Sequence, residues 1–136
     1  MTFLLTEDQR MLQDAARRYL SERHPLSLAR NAAARTHAER LAQWRELAAQ
    51  GWPALLAPAE QDGLGLGLSD AWVVAEAAGR HLMSLPLVAN IVVLPTLVDA
   101  GINGLAAQWA REVMQGDRYF ADASVQIGRA SCRERV

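Results

Sequence analysis

Apolar residues recur at helical spacing in separate stretches of the chain, each framed by residues that start or stop helices. Thr6 and Gln9 form a capping box, with Glu7 and Asp8 favouring a helix start, and Leu12, Ala15, Ala16, Tyr19 and Leu20 then mark one face. Arg10, Asp14, Arg17 and Arg18 lie off that face, and the helix should end before Pro25. A short helical piece over Leu26 to Ala34 follows. Thr36 and Glu39 repeat the capping pattern and open a helix with Leu41, Trp44, Leu47 and Ala48 on one side, stopped by Gly51. Glu39, Arg40 and Arg45 read as its wet face. Ser69 can cap the next helix, in which Trp72, Val73, Val74, Ala75 and Ala78 supply buried surface and Arg80 and His81 lie near the end.

Leu85 to Ala100 is the most apolar segment, with Ser84 as cap, Pro86 in the first turn and Gly101 as stop. It is too short, and too interrupted by Asn90 and Pro95, to span a membrane. Apolar residues all round predict a helix buried on several sides, kinked or split at Pro95. Asn103 can cap a last helix that faces Leu105, Ala106, Trp109, Val113 and Met114 inward and closes at Gly116. Asp117-Arg118 reads as a turn, and Tyr119 to Val125 as the first strand of a second domain. The fold class is therefore all-α, with about six helices in one domain over residues 1–116 and the start of a β domain over 117–126. Trp44, Trp52, Trp72 and Trp109 fall in four different elements and read as large aromatics that knit one core, in preference to flavin-stacking groups.

Between Gly51 and Ser69 lies the string Gly63-Leu64-Gly65-Leu66-Gly67. No Gly-Lys-Ser/Thr follows it, and Ala54-Leu55-Leu56-Ala57-Pro58 is too short and Pro-stopped for the strand of a βαβ unit, so it reads as a tight, packed turn and not a phosphate loop. Catalytic chemistry is not apparent. Glu60 and Asp62 flank the turn, where acids are commonly solvated, and Glu76 reads as a packed acid paired with Arg80 at i,i+4. His81 suits a helix terminus, and His24 and His37 have no partner at metal-ligand spacing.

The order Gly51-Trp52, an acid near Glu60, GLGLG, then Ala75-Glu76 and Gly79-Arg80 resembles the amino-terminal domain of acyl-CoA dehydrogenases. In that family the segment commonly reads GW, PEE, GGLGLG and EELGR; this chain departs at Ala59 and Ala77 and at Asp62, where a glycine is usual. The resemblance runs from Phe3 to about Val125. It implies a helical domain followed by a β domain and a four-helix bundle, with FAD held mainly between the latter two and across a subunit interface. It further implies an oxidoreductase of fatty acid metabolism that forms a 2-enoyl-CoA: a carboxylate removes the α-proton and hydride passes to the flavin. By that analogy the base and most flavin contacts lie beyond Gln126, no catalytic residue falls here, and the chain alone is expected to bind no FAD tightly and show no turnover. The implied partners are an acyl-CoA substrate, electron-transfer flavoprotein as electron acceptor, and further subunits in a homo- or hetero-oligomer. One wall of the acyl pocket would come from the helix over Leu85 to Ala100, where Ser84, Val88 and Val92 recur at i, i+4, i+8 with Ala89 beside them. Val88, Ala89 and Val92 are therefore candidates to border the acyl tail, with ordinary core residues as the alternative. A catalytically silent partner subunit, an oxidase or monooxygenase on the same fold, and a non-enzymatic helical interaction module are the competing readings.

The last residues change the composition. Ile127 to Val136 matches the translation of a widely used sequencing-adapter strand, so residues 127–136 are expected to be a non-native tail on the front of a longer protein. Setting aside its three arginines and one glutamate takes the formal net charge from -1 to -3 and removes Cys132, the one cysteine. Disulfides and cysteine ligands are then excluded from the rest, and a slightly acidic, lysine-free chain gives no electrostatic reason to expect nucleic acid. No basic region precedes an apolar run at the start, so the expected location is cytoplasmic.

Overall fold

A computed structural model describes residues 4–100 and 104–121. Among the described residues the chain forms six α-helices: α1 (Glu7–Arg23), α2 (Leu26–Arg30), α3 (His37–Ala49), α4 (Leu68–Arg80), α5 (Leu87–Ala100) and α6 (Leu105–Gln115). Short 3₁₀ turns at Ala32–Ala34, Trp52–Ala54 and Ala59–Gln61 complete the described secondary structure, which contains no strand. Tyr119–Ala121 is irregular; Asp122 to Val125 of the expected strand, Gly101, Asn103 and the expected tail lie outside the described residues.

Both capping boxes form. Thr6 Oγ1 accepts from the Gln9 amide at 3.2 Å while Gln9 Oε1 accepts from Thr6 N–H at 3.1 Å. Thr36 and Glu39 make the equivalent pair at 3.3 and 2.7 Å. Each box satisfies two amides that a helix start otherwise leaves without partners. Gly51 and Gly116 both adopt left-handed backbone after α3 and α6, as helix-terminating glycines do.

Helix α1 lies along α4, α5 lies along α6, and α3 contacts α6. The turn Trp52–Ala54 sits at the centre, touching α3, α5 and α6. Around it the fully buried side chains of Leu20, Trp44, Leu47, Leu55, Ile91, Leu94 and Val113 form one core. Tyr19 packs its ring edge-on to Trp52, with centroids 5.2 Å apart. Glu76 joins α4 to α1: its carboxylate bonds to Arg80 one turn on, as expected, and lies 3.7 Å from the Arg17 guanidinium.

Several sequence expectations need correction. Helix α4 starts at Leu68, with Gly67 and not Ser69 as its cap, because the Asp70 carboxylate accepts from Gly67 N–H at 2.9 Å. Trp72 is 54% exposed: it shares a face with Glu76 and Gly79, while Ala71, Val73, Val74, Ala77 and Ala78 turn inward. Leu105 also points outward; Ala110 and Val113 are buried in the core and Met114 packs against it, half-buried. Helix α5 begins after Pro86 and runs unsplit through Pro95, whose missing N–H removes one ladder bond. Burial of Ile91, Leu94 and Val98 on either side of Pro95 holds the helix together. Nor is α5 covered all round, since Val88, Val92 and Val93 are exposed.

Candidate functional site

The glycine string packs as a turn. Its amides are consumed internally: Gly63 N–H donates to Pro58 O at 3.0 Å, Leu64 to Ala54 O at 3.0 Å, Gly65 to Ala57 O at 2.8 Å and Leu66 to Leu55 O at 2.8 Å. Gly67 N–H is taken by Asp70. A Cβ on Gly63 would lie 2.1 Å from the Ala57 carbonyl oxygen, so the close approach demands glycine. With every amide already bonded, this loop has no donors to offer a phosphate. No group of three or more His, Cys, Asp or Glu side chains among them is placed to hold a metal ion.

The outer face of α5 is different. Val88, Ala89 and Val92 line one open apolar groove of about 640 Å³, together with Val93 and Leu97 from the same helix. Its other sides are Trp109 of α6 and the Phe120-Ala121 segment. Thus the three residues singled out from the sequence fall together. Ser84, on the same i,i+4 register, is not among the lining residues of this groove. Sequence reading missed Trp109 as a lining group, having assigned it to the core, and gave Phe120 to a strand. Trp109 and Phe120 meet edge-on, with centroids 6.2 Å apart at 61°. Arg118 lies over the Trp109 ring at 5.8 Å and bonds Glu112 Oε2 at 2.6 Å, bracing the indole from the side. The Gln108 amide and the Arg118 guanidinium hold the Glu112 carboxyl below the usual carboxylate range.

His81 follows α4, its N–H donating to Ala77 and Ala78 carbonyls, as expected for a helix-terminal residue. His24 ends α1 and is buried against Tyr19, with ring centroids 5.9 Å apart and Nε2 without a partner among the described residues. Burial pushes its pKa down.

A sequence profile described as acyl-CoA dehydrogenase, N-terminal domain, matches residues 6–117. The chain belongs to the acyl-CoA dehydrogenase family. No curated protein and no solved structure matches it significantly. The match spans all six helices of this acyl-CoA dehydrogenase N-terminal domain and stops at the turn before Tyr119. No described helix is long and apolar enough to cross a membrane.

Proposed function

We propose that this domain is the amino-terminal part of a flavin-dependent acyl-CoA dehydrogenase, an enzyme that oxidises an acyl-CoA thioester to a 2-enoyl-CoA. Its own contribution is a scaffold and one wall of the acyl pocket. The observation that carries the reading is the open groove on α5, in which Val88, Ala89 and Val92 present branched and small apolar groups in a domain of this family. Apolar lining of this kind takes a hydrocarbon tail by removing both surfaces from water, at about 0.8 kcal/mol per buried methylene. On this reading the base carboxylate and most FAD contacts belong to parts of the parent protein after residue 126, electron-transfer flavoprotein is its separate electron acceptor, and further subunits complete the site. Residues 1–116 then form one helical unit, and 117–126 lead into the next domain.

Val88→Phe in the complete gene product tests the reading. The larger ring fills the groove next to Ala89 and Val92, so activity should move toward shorter acyl chains, with the kcat/KM ratio of short over long substrates rising about tenfold. An unchanged chain-length preference would remove Val88 from the acyl site.

A further inference from the structure

An amide in the middle of the most apolar helix needs a reason. Asn90 is fully buried, flanked along α5 by Leu87, Ile91 and Leu94, which are buried as well. Its side chain is fully employed: Nδ2 donates to Pro86 O at 2.6 Å and to Phe120 O at 2.8 Å, and Oδ1 accepts from Phe120 N–H at 2.8 Å. Only one orientation of the amide satisfies all three, because a flip would set oxygen against the Phe120 carbonyl. The paired bonds to Phe120 are those that a neighbouring strand would make, donor to acceptor and acceptor to donor. Residue 120 has no strand partner among the described residues, so Asn90 stands in for one.

The consequence lies in what residue 120 carries. Its ring forms a side of the groove and meets Trp109, which Arg118 braces in turn. We infer that Asn90 is a positioning residue for substrate selection: by fixing the Phe120 backbone to α5, it sets the width of the groove and so the bulk of acyl chain that fits. The inference rests on the acyl-pocket reading given above. Asn90 itself touches no substrate; it acts through Phe120.

The test uses the complete gene product carrying Asn90→Leu, matched in shape but without the amide, and Asn90→Asp, which keeps only the acceptor. Hydrogen exchange of the peptide containing Phe120 reads the backbone clamp. Binding of linear octanoyl-CoA and of a cyclohexyl-bearing acyl-CoA reads groove width, and their affinity ratio is independent of the fraction of protein folded. Loss of the paired bonds should speed exchange at Phe120 about tenfold. It should also shift the ratio about threefold or more toward the bulkier chain. Phe120→Ala removes the wall directly and should give the same shift, with no further change when combined with Asn90→Leu. If Asn90→Leu does not fold, Asn90→Asp carries the ratio expectation alone, because its carboxylate still accepts from Phe120 N–H while setting oxygen against the Phe120 carbonyl. Unaltered exchange, or an unaltered ratio in a protein that still binds both thioesters, overturns the positioning role while leaving the acyl-pocket reading in place. If wild-type protein binds neither thioester, the pocket reading fails and the selection role fails with it, whatever the exchange data give.

Discussion

Gly116 and Arg45 stand backbone to backbone where α6 ends on α3: a Cβ at residue 116 would lie 2.8 Å from the Arg45 Cα. The position also has φ of +87°, which costs an L-residue about 1–2 kcal/mol. Overpacking of a rigid neighbour adds about 1–3 kcal/mol. Gly116→Ala should therefore destabilise the domain by about 2–5 kcal/mol, read as a lower urea midpoint at unchanged slope.

Asp62 holds φ of +64° at the entrance to the glycine turn. Aspartate tolerates this region better than most residues, yet not without strain. Asp62→Gly should raise stability by a few tenths to about 1 kcal/mol, part of the relief being offset by greater freedom of the unfolded chain. Asp62→Val, with a branched Cβ, should lower it by about 1–2 kcal/mol. Thermal melts of the three proteins would reveal the order Gly, Asp, Val.

His24 makes stability depend on pH. Burial lowers its pKa in the folded state; Glu46 opposes that shift, while Arg35, His81 and Arg23 reinforce it. The unfolded chain then binds more protons than the folded one below the ordinary histidine value of about 6.5. Stability from this residue is complete above that pH and is lost as pH falls toward the depressed value. His24→Gln should flatten the dependence between pH 7.5 and 5.5, measured by denaturant unfolding.

The tryptophans separate by burial. Trp44 is fully enclosed and Trp72 is more than half exposed. Trp44→Ala should cost about 3–5 kcal/mol, and Trp72→Gln no more than about 0.5 kcal/mol. Equal losses at the two positions would contradict the packing described here.

Local signals in the sequence translated well into structure where both partners lie within a turn of each other. Thr6 with Gln9, Thr36 with Glu39, and Glu76 with Arg80 could be named because their spacing alone brings them together. Helix faces were harder. In the alanine-rich α4, hydrophobicity alone gives Trp72 no direction, and only packing of α4 on α1 selects Val74 and Ala78 over it. On α5 the apolar pattern runs all round, so the open side at Val88 and Val92 could be guessed from family likeness but not from periodicity. Asn90 escaped because its partner is 30 residues away. The available clue was chemical: a lone amide in so apolar a helix must find hydrogen bonds somewhere.

Gln9 does more than finish the cap of α1. While its carbonyl oxygen accepts from Thr6, its Nε2 donates to Ser69 Oγ at 3.1 Å and to Asp70 Oδ1 at 3.0 Å, the same carboxylate that caps Gly67. Two helix starts 60 residues apart thereby share one side chain. Fraying at either should loosen the other, so the leading turns of α1 and α4 belong to a single cooperative unit of local opening.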